Sequence, residues 1–296
     1  MKILSNINNK RWLSLTGTLF VATVVFLGLQ ACGGGGGSDP VPVVNANPAG
    51  YYSSGDATVK DPANAANNLI ISDLQGMVNG TRFMMMSLSN ALMYDGTITS
   101  IVGNDFTADV VIYVNMAIAD GVTPDPVINT TIKGTITEGS KIMGTIAGTG
   151  VGSGDFNLTF SQSNSTQAEL VNIVKRWGGD INTVIQGTGF QFEVKNAGVI
   201  EVDVFDRPQA GLFRLCEMTG LATPVSGSAL FTVDINISAG SCIDGAAREG
   251  DYTGLVTTIS KVNTNDTLVV MFTNGAVAGM AEWSICSSAS LLSCLQ

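Results

Sequence analysis

Histidine is absent from all 296 residues, which removes the side chain most used as a general base near neutral pH and the commonest zinc ligand. No Ser-His-Asp arrangement can form, and no Gly-x-Ser-x-Gly occurs as a nucleophile elbow. Charge is scarce at 13% of residues, and basic charge scarcer still, with 14 Lys and Arg against 24 Asp and Glu. Three of those bases, Lys2, Lys10 and Arg11, lie at the extreme amino terminus, so no basic cluster is left to neutralise phosphates, and nucleic acid is not an expected partner. Helix-forming runs of Leu, Glu and Lys are also rare, whereas Gly reaches 35 residues and Thr, Val and Ile recur in short runs. That composition favours strands and turns.

What the chain does have begins with a tripartite leader. Lys2, Lys10 and Arg11 form a basic segment, Trp12 to Leu29 an apolar one, and Ala31 supplies the small residue of an export signal covering residues 1–31. Leu29-Gln30-Ala31-Cys32 resembles the bacterial lipobox, which implies cleavage before Cys32 and acylation of that cysteine, palmitate included. Two or three acyl chains, at about 0.8 kcal/mol per buried CH₂, anchor stably where one does not. An uncleaved membrane span is the alternative for the apolar stretch. Gly33-Gly34-Gly35-Gly36-Gly37-Ser38 then cannot pack and reads as a flexible tether, with residues 32–49 as the whole lipidated linker. The residue after Cys32 is Gly33 and not the Asp of an inner-membrane retention signal, which by resemblance to enterobacterial sorting rules favours the outer membrane, with the periplasmic or surface side left open.

From residue 50 the chain alternates β-type runs with Gly, Asn and Asp turns. The first set is Tyr51–Val59, Thr81–Ser87, Leu92–Val102, Phe106–Val114, Val127–Thr137, Lys141–Thr149 and Phe156–Ser161. The second is Gly189–Val194, Val199–Phe205, Phe213–Met218, Ala229–Ile237, Tyr252–Ser260, Thr267–Thr273 and Val277–Ile285. The fold class is mainly β, an antiparallel meander or barrel-like body with a first β region over 50–164 and a second over 178–296. Ser165 to Trp177 carries Leu170, Ile173, Val174 and Trp177 at helical spacing and reads as a short connecting helix capped by Ser165. Two meanders or one large barrel both satisfy the pattern. The triplet Gly-Thr-Ile recurs at Gly96, Gly134 and Gly144, and glycine inside strands fits a sheet that curls into a barrel.

Cys216, Cys242, Cys286 and Cys294 are even in number in an exported chain and point to two disulfides, with Cys216–Cys242 and Cys286–Cys294 preferred among three possible pairings. A thiolate metal site lacks both histidine and a Cys-x-x-Cys spacing, and neither a metal nor a cofactor is expected. Gly148 to Gly154 lacks the Gly-Lys-Ser/Thr of a phosphate loop and reads as a hairpin. Asn263-Thr264-Asn265-Asp266 lacks the spacing of a calcium loop and reads as a turn. Phe83, Met84, Met85 and Met86 either fill a core or line an adaptable apolar cavity. Asp109, Glu193, Glu201 and Asp203 are the carboxylates a glycosidase-type pair would draw on, and alternate strand positions explain them equally as solvated faces.

Two stretches resemble known families. Gly134-Thr135-Ile136 through Gly154-Asp155-Phe156-Asn157-Leu158 resembles the glycine-punctuated hairpins in barrel domains of surface lipoproteins of the transferrin-binding protein B family. Cys216 to Gly254, with Leu230-Phe231-Thr232-Val233, Cys242 and Tyr252-Thr253-Gly254-Leu255, resembles C-terminal parts of uncharacterised exported lipoproteins. What the resemblance implies is a non-enzymatic, lipid-anchored outer-membrane module that binds another component of the cell envelope or surface. The alternative is a periplasm-facing carrier of a small apolar ligand.

Overall fold

The computed structural model describes residues 43–60, 66–114, 127–147, 153–162, 167–180, 188–206, 213–240, 249–260 and 266–285, and for 179–180, 188–192, 202–206 and 213–216 the backbone alone. The first β region comprises β1 (Gly50–Lys60), β2 (Asn68–Ile71), β3 (Gln75–Asn79), β4 (Arg82–Ser87), β5 (Leu92–Val102), β6 (Asp105–Val114), β7 (Ile128–Thr137), β8 (Lys141–Ala147) and β9 (Gly154–Phe160). Every neighbouring pair is antiparallel, and β1 pairs with β9 to close the sheet on itself. Along its other edge β1 pairs first with β3 and then with β2, so β2 hangs beside an otherwise eight-stranded barrel. The second region comprises β10 (Arg176–Asp180), β11 (Thr188–Val194), β12 (Val199–Asp206), β13 (Phe213–Pro224), β14 (Leu230–Ile237), β15 (Gly250–Ile259), β16 (Thr267–Thr273) and β17 (Ala278–Ile285). It is a second closed barrel, sealed where Trp177 and Gly178 of β10 meet Ile285 and Ser284 of β17. The pattern of two meanders is therefore realised as two barrels, each of a strand number at which side chains fill the interior.

The Gly-Thr-Ile triplet has a specific cause. Gly96 lies directly across from Phe83, Gly134 from Phe106 and Gly144 from Phe156. All three phenylalanines point into the first barrel and are buried, with Phe83 packed between the other two at ring separations of 6.0 and 6.4 Å. A Cβ on Gly134 would stand 2.8 Å from Phe106 Cε1, and one on Gly144 2.9 Å from Phe156 Cε1. Gly134 and Gly144 thus make room for the aromatic ring of the cross-strand partner, the arrangement that fills an inward glycine position with a neighbour's ring, whereas a Cβ on Gly96 would meet Val110 Cγ2 at 2.5 Å and the Asp109 carbonyl at 2.6 Å. Two residues on, Ile98, Ile136 and Ile146 are buried in the same core, while the intervening Thr97, Thr135 and Thr145 face solvent. In the second barrel Phe272 lies across from glycines on both sides, Gly254 and Gly279, and a Cβ on Gly279 would stand 2.6 Å from Phe272 Cε2.

The connecting helix is shorter than its spacing predicts. The α1 helix spans Leu170–Ile173 only, its N-cap is Glu169 with no side-chain cap bond, and Ser165 lies outside the described residues. Trp177, expected on the helix, is in β10 instead. The apolar spacing is still used, because Ile173 and Trp177 both enter the core of the second barrel and the indole Nε1 of Trp177 donates to the Ile173 carbonyl at 3.0 Å. Pairing of β10 with both β11 and β17 satisfies more backbone groups than a further helical turn would.

The barrels touch along their outer walls. Tyr51, Met77, Met84, Met86, Met93 and Tyr113 of the first join Leu230, Leu255, Val269, Met271, Ala278 and Met280 of the second in one buried cluster. Met77 faces Met84, Met86 faces Met93 and Met271 faces Met280 across their strand pairs, so six of the chain's 11 methionines lie in this seam. Unbranched thioethers suit two curved walls that cannot interlock like the two sides of a planar sheet sandwich. The rim is tied by polar groups: Arg82 ion-pairs with Asp95 at 3.0 Å and donates to Thr253 Oγ1 at 2.9 Å and its carbonyl at 3.1 Å. On another side the Tyr51 hydroxyl donates to Gln75 Oε1 at 2.7 Å, and Gln75 Nε2 donates to the Glu282 carboxylate. Burial, and secondly the Glu282 charge, push the Tyr51 hydroxyl well above its ordinary value, so it stays a neutral donor. Gln75→Leu would remove the hydrogen bonds that Tyr51 and Glu282 make to this side chain and is expected to cost about 1–3 kcal/mol, read as a lower urea midpoint at unchanged m.

Candidate functional site

The recess with the most chemistry lies at one end of the second barrel, where the segment after β9 and helix α1 cross the rim formed by the start of β14 and the ends of β15. Its volume is about 320 Å³. Ala168, Ala229 and Phe231 make a buried apolar floor, fixed by the bond from Ala168 N to the Ser228 carbonyl at 2.7 Å and from Thr257 Oγ1 to the Ala229 carbonyl at 3.1 Å. Gln162 and Gln167 from the connector, Asn172 from α1, Thr258 from β15 and Ser260 just past its end give the walls their amides and hydroxyls. Lys175 and Asp266 close one side. Their Nζ–Oδ2 distance is 3.0 Å, and the same ammonium lies 5.7 Å from the centre of the Trp177 ring. Both charges are about one-third exposed, so the pair is worth a modest amount in stability but cancels its own field locally.

The residues singled out from sequence do not converge here. Phe83 and Met85 are fully buried in the first barrel's core, and Met84 and Met86 in the seam between barrels. The run is thus used on both faces. A strand buried on both sides reads as a continuous apolar run, and the same signal stands in Leu268-Val269-Val270-Met271-Phe272 of β16, every residue of which is buried. Taken together, those two runs were the legible mark of the seam. Among the carboxylates, Asp109 is exposed on the first barrel's outer wall. Glu193 and Glu201 are cross-strand neighbours on the second barrel, but each has its own base, Arg176 at 3.3 Å for Glu193 and Lys195 for Glu201. Asp203 is described by its backbone alone, in β12 across from Gln191 and Glu217. Among the described residues no three of His, Cys, Asp and Glu gather as a metal site.

Cys216 sits in β13 across from Val204, with its side chain undescribed. Cys242, Cys286 and Cys294 lie outside the described residues, as do Leu29, Gln30, Ala31 and Cys32. Asp266 ends the segment read as a turn, whose other residues 263–265 lie outside the described residues, and it anchors Lys175 at the recess; no signal in the sequence alone paired positions 175 and 266.

No family model matches the chain, and no curated protein matches it. Among solved structures, isotype 1 transferrin binding protein B from serogroup B Neisseria meningitidis is similar over 75% of this chain at 7% identity, with a TM-score of 0.27. The chain spans 59% of that protein's length. A likeness of that size bears no weight on function, and the two-barrel architecture rests on the strand pairings themselves.

Proposed function

We propose that this chain is a lipid-anchored lipoprotein of the outer membrane whose two-barrel body is a non-enzymatic binding or structural module of the envelope. The observation that carries the reading is that the described side chains inside each barrel pack into a core of their own, which leaves outer walls, rims and loops to meet a partner. The walls support it. Thr97, Asp109, Lys133, Thr135 and Thr145 face solvent while isoleucines and phenylalanines face inward, the reverse of the apolar-out pattern of a barrel that spans a bilayer. Membrane attachment then falls to the acylated Cys32 ahead of its glycine tether. The carrier alternative draws less support, since Phe83 to Met86 are committed to packing.

The test is metabolic labelling with a palmitate analogue followed by protease shaving. The wild-type chain is expected to take the label and fractionate with outer membrane. Cys32→Ala is expected to lose all label and leave the membrane pellet, because a body with polar walls has no second means of anchoring. Label retained by Cys32→Ala would overturn the anchor. Digestion on intact cells would put the partner outside the cell, and protection until permeabilisation would put it in the periplasm. In the same preparation, peptide mapping without reduction is expected to return Cys216–Cys242 and Cys286–Cys294 as the linked pairs.

A further inference from the structure

We propose that the recess between α1 and the rim of the second barrel binds an uncharged polyhydroxylated ligand, a sugar of one or two rings. The proposal deepens the reading of the body as a binding module and rests on it. Size comes first: about 320 Å³ is near the lower end of small-molecule pockets, roughly 300–1,000 Å³. Such pockets are mostly apolar with a few placed polar groups, whereas this one has apolar groups only at its floor.

The polar groups select the ligand class. A carboxamide presents two donors and an acceptor side by side, and a hydroxyl is donor and acceptor at once. Vicinal hydroxyls of a pyranose require that mixture, because each is also both. Asn172 and Thr258 are half-buried and, with Gln162 and Ser260, make no side-chain hydrogen bond among the described residues, so their capacity is open to a ligand. Ionic ligands have less to meet. The Lys175 ammonium is engaged by Asp266 at 3.0 Å on one side and by the Trp177 ring on another, and the Asp266 carboxylate is engaged in return. An anion or cation would have to break that pair and leave one partner uncompensated. The floor of Ala168, Ala229 and Phe231 suits the C–H face of a sugar ring, and it is rigid, since Phe231 belongs to the barrel core. The amide groups come from the connector and α1 while the hydroxyls come from the end of β15 and the residue that follows it, so the recess exists only once both have folded against each other.

The experiment is saturation-transfer NMR on the full chain with maltose, cellobiose and diacetylchitobiose as probes, and glucuronate and glucosamine as charged comparators. Co-sedimentation with purified peptidoglycan sacculi forms a separate arm. Transfer to at least one neutral disaccharide is expected, weakened tenfold or more in Asn172→Leu and in Thr258→Val, with an unchanged thermal midpoint showing both variants folded. Sedimentation with sacculi would assign the sugar to wall polymer, and binding of soluble sugar alone would assign it to a free saccharide. No transfer to any neutral sugar from the folded chain, equal transfer in both variants, or preference for the charged comparators would each overturn the proposal. None of these bears on palmitate labelling or shaving, so the recess can fail while the anchored binding module stands.

Discussion

Phe83→Ala is expected to destabilise the protein by about 3–5 kcal/mol, the upper part of the range for core truncations. Phe83 is fully buried, centred between the rings of Phe106 and Phe156, and faces Gly96, which has no side chain to move into the gap. Partial collapse is what moderates such losses elsewhere, and here the flanking inward positions Gly134 and Gly144 offer nothing either. A fall of roughly 6–20 °C in the melting midpoint follows for a body of this size. Gly134→Val should act in the opposite sense of volume with the same sign of energy, costing about 1–3 kcal/mol or more as its branched side chain meets the Met143 carbonyl and the Phe106 ring. Urea titration of both variants measures this. A loss below about 1 kcal/mol in Phe83→Ala would show that the glycine and phenylalanine pairs do not organise the core.

Met271→Asp should be at least as damaging. Met271 is fully buried in the seam, opposite Met280 and among methionines and leucines of both barrels. A carboxylate there has no base to pair with, and an uncompensated buried charge costs about 3–5 kcal/mol. The form of the unfolding curve is the more telling readout. Wild-type unfolding is expected to be one transition, because the seam couples the barrels, and the variant is expected to unfold in two steps as each barrel keeps its own core. Met143→Asp is the control: Met143 lies on the first barrel's outer wall at 37% exposure, and the same change there should stay within about 0.5 kcal/mol. A single transition in Met271→Asp at near-normal midpoint would mean that the coupling of the barrels does not rest on the buried seam around Met271.

Much of the architecture was legible because a sheet with one wet face must alternate. Leu92–Val102 and Thr267–Thr273 are strands over the residues their patterns mark, and most other strands differ by one or two positions. Three strands were not legible. Gln75–Asn79 is short and carries Gln, Gly and Asn, yet it is a strand because it lies between β1 and β4 with the second barrel over its outer face. Asn68–Ile71 has four residues and exists through pairing with the end of β1. Arg176–Asp180 carries two consecutive glycines and is held by neighbours on both edges. In each case non-local hydrogen bonds override a weak local preference.

The sequence by itself determined the β class and the division into two β regions, because these depend on composition and on periods of two residues, and the proposed leader, acylation motif and tether are likewise readings of the sequence. It also held the glycine triplet, whose meaning waited on register: only pairing reveals that Gly96, Gly134 and Gly144 face Phe83, Phe106 and Phe156. Tertiary structure alone decided that the strands close as two barrels and not one, that the methionine run serves two cores at once, and that Lys175 meets Asp266 beside a polar recess. Those outcomes depend on which surfaces meet when distant segments fold together, and a one-dimensional pattern records which residues avoid water without recording which of them share the same interior.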